Sequence, residues 1–233
     1  MSIELKNVYK IYQSGDIRTE ALKNVDLSIK NGEFLVVLGP SGSGKSTLLN
    51  VISGLDNVTS GTVKYNEDII SDYNVDQLTK FRRENLGFIF QQYNLLQNLN
   101  VEDNVKMGAD ISENPLDVDE ILDKVGLKKM KYKYTYQLSG GEQQRVSIAR
   151  SIVKNPNIMF CDEPTGSLDE KTGKQILEIL EKLNKEYKTT TVVITHNPNI
   201  ANMGDRIIKM NSGEIEKIII NKNKVPAKEI KWS

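Results

Sequence analysis

A glycine-rich segment near residue 40 places a lysine and hydroxyl side chains at a spacing that suits phosphate binding. This phosphate loop matches the pattern G-x-x-x-x-G-K-[ST] and consists of Gly39-Pro40-Ser41-Gly42-Ser43-Gly44-Lys45-Ser46. Glycines let the backbone curl so that amide N–H groups and the start of the next helix face an anion. Lys45 is expected to reach the β- and γ-phosphates of a nucleotide, with Thr47 among the binding residues, and Ser46 to ligate Mg²⁺. The loop therefore predicts nucleotide binding.

Two adjacent carboxylates end an apolar run far along the chain. Residues 158–161 are apolar, and Asp162 and Glu163 follow them directly. Open α/β sheets assemble their sites at the edge where strands end. Asp162 is expected to lie on the metal side, and Glu163 to orient and deprotonate an attacking water. Because many strands end in solvated acids, the pair indicates hydrolysis only in combination with the phosphate loop.

A Ser-Gly-Gly sequence precedes a predicted helix in the second half of the chain. This signature segment is Leu138-Ser139-Gly140-Gly141-Glu142-Gln143-Gln144. Free amides at such a helix start can approach a phosphate, although a plain linker would have the same composition. The segment resembles the signature of the ATP-binding-cassette (ABC) ATPases. The resemblance implies a head-to-tail dimer in which ATP on one copy's phosphate loop contacts the second copy's Ser139, Gly140, Gly141 and Glu142.

Four further residues receive roles from this resemblance alone. It implies that Gln91 contacts Mg²⁺ and water, and that His196 contacts the γ-phosphate and helps to place Glu163. It also implies that Asp169 communicates across the dimer and that Tyr12 stacks on adenine. Without the resemblance, a solvated glutamine, a structural histidine, a helix-capping aspartate and a packed tyrosine would explain the same residues.

Four short apolar runs predict strands that are buried on both faces, as in a parallel sheet covered by helices. They lie at residues 34–38, 86–90, 158–161 and 191–195, with helical stretches between them and a helix starting near Lys45. The fold class is therefore α/β, and with the resemblance it is a P-loop NTPase core with a mostly parallel sheet and flanking helices.

The remaining segments predict additions to this core within one domain that covers residues 1–233. Alternating residues over 3–29 predict an N-terminal antiparallel β layer. Residues 93–155 contain helical spacings and no comparable strand, which predicts an inserted helical subdomain between the core segments 1–92 and 156–220. Residues 206–216 predict a hairpin, and residues 221–233 a Lys/Asn-rich C-terminal tail.

Composition restricts the partners. Lys and Arg together number 31, as do Asp and Glu, so no global basic field favours nucleic acid. No apolar run approaches the roughly 20 residues of a spanning helix, so a membrane role would need a partner. The N-terminus contains no secretory pattern, which predicts a cytoplasmic location. The single cysteine, Cys161, lies in an apolar run and is expected to be a buried thiol.

Two segments refine the resemblance. Residues 19–25 and 86–96 are similar to the branch that serves lipoprotein release, macrolide efflux and peptide export. This branch implies an integral membrane permease as partner, which would hold the chain at the inner face of the cell membrane. The helical segment between residues 104 and 137 is shorter than that branch usually has, which leaves the identity of the partner and of the cargo open.

Two other functions remain as alternatives. A soluble ABC ATPase of DNA repair or translation would usually contain a long coiled coil or two cassettes with a basic linker, and the sequence contains neither. A cell-division ATPase that regulates a membrane partner without moving cargo fits the same motifs.

Overall fold

The computed structural model describes residues 3–232, so residues 1, 2 and 233 of the predicted domain lie outside the described residues. The strands are β1 (Ile3–Ser14), β2 (Ile17–Ile29), β3 (Phe34–Leu38), β4 (Ser60–Tyr65), β5 (Asp68–Ile69), β6 (Leu86–Ile89), β7 (Ile158–Asp162), β8 (Thr190–Thr195), β9 (Arg206–Asn211) and β10 (Glu214–Ile220). The helices are α1 (Lys45–Ile52), α2 (Val75–Asn85), α3 (Val101–Asp110), α4 (Val118–Lys124), α5 (Gly140–Ile152), α6 (Glu170–Tyr187) and α7 (Pro198–Ala201). None of these helices is both long and apolar enough to cross a membrane.

A six-stranded sheet forms the centre, in the order β10-β9-β3-β8-β7-β6. All its pairs are parallel except β9 with β10, an antiparallel edge hairpin. Leu35 and Val37 of β3 pack in the core on one face of the sheet, and Val36 packs in the core on the other. Because both faces are covered, the strand is continuously apolar. The predicted mostly parallel α/β core is confirmed.

The N-terminal layer is an antiparallel sheet in the order β2-β1-β4-β5. The layer predicted over residues 3–29 is present as β1 and β2, while β4 and β5 extend it beyond the prediction. Helix α1 lies between this layer and the central sheet, with Leu48, Leu49 and Ile52 buried in the shared core. Burial of these side chains fixes the helix that follows the phosphate loop.

Helices cover the other face of the central sheet. Residues 93–155 contain α3, α4 and α5, together with one isolated bridge between Asn100 and Tyr134. Val105 of α3 and Ile148 of α5 are fully buried in the core on this face. Helix α5 is the predicted helix of the signature segment and ends before Pro156. The division into core and inserted subdomain remains a prediction.

The segment after β10 folds back onto the domain. Ala227 and Ile230 are buried, and the backbone N–H of Ala227 donates to Glu181 of α6. A Cβ on Gly173 of α6 would lie 2.1 Å from the ring of Trp232, so the ring occupies the space above this glycine. The predicted tail is thus docked against α6 over its described residues.

Candidate nucleotide-binding site

The phosphate loop joins β3 to α1 and is shaped by a left-handed glycine. Gly44 precedes the helix with φ 96°, a conformation that favours glycine. A Cβ at this position would also lie 2.6 Å from the carbonyl oxygen of Ala21 in β2. The Gly213 N–H donates to the Ser43 carbonyl at 3.1 Å, and the Lys23 N–H donates to the Gly213 carbonyl at 2.9 Å. Strand β2 and the β9–β10 turn therefore hold the loop from one side.

Lys45 is the buried cation of the loop. Its side chain is 8% exposed, and its ammonium donates to the carbonyls of Gly39 and Pro40, at 2.8 Å in both cases. Ser46 and Thr47 follow on the first turn of α1. The positive charge of the Lys45 ammonium and the positive end of the α1 helix dipole thus lie at the same loop. This arrangement suits an anion such as a nucleotide phosphate.

Asp162 at the end of β7 faces the loop. The Ser46 hydroxyl donates weakly to Asp162 Oδ2 at 3.4 Å. Burial raises the pKa of the Asp162 carboxyl above its ordinary value, and the neighbouring Glu163 charge raises it further. A nearby cation would stabilise the ionised form of such a carboxylate. The environment of Asp162 therefore suits a metal ligand.

Glu163 turns out of the strand with an unusual backbone. Its φ is +46°, in the left-handed region that non-glycine residues seldom adopt. Its N–H still donates to the Ile194 carbonyl at 3.0 Å, which keeps the turn tied to β8. Glu163 Oε1 lies 2.8 Å from His196 Nδ1, just beyond the end of β8. The structure thus places the histidine beside the carboxylate.

The predicted residues gather around one open cleft of about 960 Å³. Of the predicted site residues, those that line it are Ser41, Gly42, Gly44, Lys45, Ser46, Thr47, Gln91, Asp162, Glu163 and His196. Gly39 and the buried Ser43 lie within the loop rather than on the cleft wall. Further wall residues come from β2 and the β9–β10 turn, namely Thr19, Glu20, Ala21, Lys23, Ser212 and Gly213. The sequence predicted the turn, but the pairing of β9 with β3 that brings it here is a long-range contact.

Tyr12 lies on β1 outside the wall of this cleft, with 41% of its surface exposed. Its hydroxyl donates to Asp56 Oδ2 at 2.7 Å, and the Lys10 ammonium lies 4.8 Å from the ring centroid and 2.6 Å from Asp56 Oδ1. Burial raises the pKa of the Tyr12 phenol, and the hydrogen bond to Asp56 adds to this rise. Sequence reasoning missed both partners, since they are distant or ordinary polar residues. An exposed ring held at one end could stack on a base.

The signature segment and Asp169 lie away from the cleft. Ser139 caps α5 in a reciprocal pair, since its N–H donates to Glu142 Oε2 at 2.7 Å and its hydroxyl accepts from the Glu142 N–H at 3.4 Å. Burial opposes the charge of Glu142, but the hydrogen bonds from Ser139 hold the pKa of its carboxyl below the ordinary value. Asp169 caps α6 by accepting the Thr172 N–H at 3.1 Å.

Side chains of other segments pack closely against the two signature glycines. A Cβ on Gly140 would lie 2.9 Å from the Tyr93 hydroxyl. A Cβ on Gly141 would lie 2.2 Å from Thr172 Cγ2. The start of α5 therefore sits directly against α6 and the segment after β6, while Ser139 itself is exposed.

Similar proteins share both the sequence and the fold. The chain matches the family model described as ABC transporter over residues 22–166. It is 47% identical over 233 residues to a putative ABC transporter ATP-binding protein of Mycoplasma pneumoniae, the MG065 homolog, covering 99% of this chain and 50% of the relative. It is 42% identical over 217 residues to the macrolide export ATP-binding/permease protein MacB of Bdellovibrio bacteriovorus, covering 92% of this chain and 33% of that protein. The chain thus spans about half the length of the first relative and a third of the second.

A solved structure agrees closely. The dimeric ATP-binding cassette MJ0796, in a post-hydrolysis state bound to ADP and Pi, is 43% identical with a TM-score of 0.86. The alignment covers 94% of this chain and 99% of that one, and MJ0796 comes from Methanocaldococcus jannaschii. The matched family segment, the identity and the shared fold agree with the phosphate loop and the signature segment. This chain therefore belongs to the ABC transporter family of ATP-binding proteins.

Proposed function

We propose that this chain is the ATP-binding and ATP-hydrolysing subunit of a membrane transporter, of the branch that exports peptide, lipoprotein or drug-like cargo. The observation that carries the hydrolytic part of the proposal is the contact between Glu163 and His196 at 2.8 Å, in the same cleft as Lys45, and the export part rests on the similarity to MacB. A carboxylate that a histidine orients beside a phosphate-binding loop is suited to accept a proton from an attacking water. Glu163 is the proposed base, and His196 is proposed to position it.

Magnesium fits the remaining polar groups. Mg²⁺ is usually held by one or two protein oxygens together with substrate phosphates and water. Ser46 Oγ and Asp162 Oδ2 are 3.4 Å apart, and Gln91 lines the same cleft. We propose that these three side chains hold Mg²⁺, which when bound would neutralise charge on the phosphate oxygens.

The separation of the two anion sites supports a dimer as the working unit. Lys45 and Glu163 line the cleft, whereas Ser139 does not. The solved MJ0796 cassette is dimeric. We propose that two copies of this chain pair head to tail, so that ATP on one phosphate loop meets the other copy's signature segment. ATP would then favour the closed dimer, and loss of the γ-phosphate would release it.

A permease supplies the membrane part of the proposal. MacB combines an export ATP-binding part and a permease in one protein. We propose that this chain likewise acts with an integral membrane permease, on the cytoplasmic face of the membrane. Purification of the chain together with its membrane partner, followed by ATP-dependent export from vesicles, would distinguish transport from the regulation of a division protein.

Glu163→Gln tests the proposed chemistry. The amide keeps the size of the side chain but cannot accept the proton, so ATP should still bind while kcat falls by about 100-fold or more. The variant should also accumulate as an ATP-bound dimer on size-exclusion chromatography. Lys45→Ala is the control, because it should lose nucleotide binding and hence the dimer. Normal turnover in Glu163→Gln would refute the assigned role.

A further inference from the structure

Tyr93 lies where three segments of the fold meet. Its hydroxyl is 3.2 Å from Ser167 Oγ, in the loop between β7 and α6. The same hydroxyl would be 2.9 Å from a Cβ on Gly140, so it packs against the bare backbone at the start of α5. Tyr93 itself follows β6 and is only partly exposed. One side-chain oxygen thus touches both the signature segment and the loop that follows Glu163.

The backbone on which Tyr93 is carried is fixed to α5. Arg150 donates to the carbonyl of Asn94 at 2.8 Å and to that of Tyr93 at 3.2 Å. Arg150 is only partly exposed, and this partial burial lowers the pKa of its guanidinium. Asn94 adopts φ +50°, so the chain turns sharply here. The Tyr93 side chain is therefore attached to a backbone whose position is constrained.

The loop that Tyr93 contacts begins at the proposed base. The Gly166 N–H donates to the Glu163 carbonyl at 3.0 Å, which closes a tight turn directly before Ser167. Gln144 of α5 donates to the Pro164 carbonyl at 2.8 Å, a buried link between the same two elements. Displacement of this turn would change the strained backbone that aims Glu163.

We propose that Tyr93 is a positioning residue for hydrolysis, because its hydroxyl ties the loop of residues 163–168 to the start of α5. This inference rests on the proposed ATPase function. The Tyr93 hydroxyl sets the orientation of Glu163 in one site and the position of Ser139 in the other. Its loss leaves nucleotide binding intact, since Tyr93 does not line the cleft.

Tyr93→Phe removes the hydroxyl and keeps the ring. We expect kcat for ATP to fall about fivefold to tenfold, while KM stays within about twofold, because a misplaced general base slows the chemical step alone. Ser167→Ala should lower kcat similarly, and the double variant should lose no more than either single change. Tyr136→Phe is the matched control, because Tyr136 is 72% exposed on the neighbouring surface. Wild-type kcat in Tyr93→Phe, or losses that multiply in the double variant, would overturn the proposal.

Hydrogen–deuterium exchange gives a readout that needs no ATP. In Tyr93→Phe, amides of residues 165–168 and 140–142 should exchange several times faster than in the wild type or in Tyr136→Phe. Unchanged exchange in both segments would contradict the proposed link between the loop of residues 163–168 and the start of α5, even if the wild type hydrolysed no ATP. Conversely, faster exchange in a chain without ATPase activity would support this link and refute the proposed function.

Discussion

Asp162 and Glu163 are neighbours with different surroundings. Asp162 closes a buried strand, where burial and the adjacent charge raise its pKa. Glu163 leaves the strand through a left-handed turn and meets His196 at 2.8 Å. We therefore propose that the first carboxylate binds a cation and that the second accepts a proton. The backbone at Glu163, rather than a difference in side-chain type, separates the two roles.

Asp162→Asn should stabilise the nucleotide-free protein near neutral pH. Because the pKa of Asp162 is raised by folding, its contribution to stability is fully present below the unfolded pKa of about 3.9 and is lost as pH rises through the folded pKa. The difference in free energy of unfolding between variant and wild type should therefore increase as the pH rises above about 4. Urea unfolding between about pH 4 and 8 measures it.

Asp169→Asn is a control for which we expect the opposite effect on stability. The hydrogen bonds from Thr172 lower the pKa of Asp169, so its contribution is present above the unfolded pKa and is lost as pH falls through the folded pKa. This variant should be the less stable protein at neutral pH, and its gap to the wild type should close in acid. A gap for Asp162→Asn that stays constant with pH would contradict the assignment.

At the scale of elements, the close contact between α5 and α6 depends on a glycine, which has no side chain. Gly141→Ala would place a methyl group 2.2 Å from Thr172 Cγ2, which should lower the free energy of unfolding by about 1–3 kcal/mol, as overpacking does. Thr172→Ser removes that methyl group, so the double variant should regain most of the loss. Thermal or urea unfolding without nucleotide measures both. If Thr172→Ser failed to relieve the alanine, steric conflict would not be the cause.

The sequence predicted most elements, and the reasons differ between them. Strand β3 was predictable because both of its faces are buried, which leaves a continuous apolar run. Strand β4 was missed because its first residues are exposed, and β5 because it has only two residues, so neither gives a clear apolar signal. The contact of Gly140 with Tyr93 and the Asp56 partner of Tyr12 depend on long-range packing that no local pattern encodes.

At the scale of the molecule, the proposed dimer makes each site depend on two copies. A mixture of a Ser139→Arg variant with a Lys45→Ala variant should contain mixed dimers with at most one intact site, because each variant spoils a different half. Mixing should therefore restore some ATPase activity to two variants that are inactive alone. The steady-state rate against mixing ratio measures this restoration. If either variant alone retained full activity, independent monomers would replace the head-to-tail dimer.

The docking of the C-terminal segment gives this protein a built-in optical probe. Trp232 is the single tryptophan of the chain, and its carbonyl accepts a hydrogen bond at 3.2 Å from Asn197, the residue after His196. Its ring rests over Gly173, one turn after the Asp169 cap. Indole fluorescence depends on the surroundings of the ring, so emission from this one residue reports, without an attached dye, on the two segments that it contacts, one after His196 and one after Asp169.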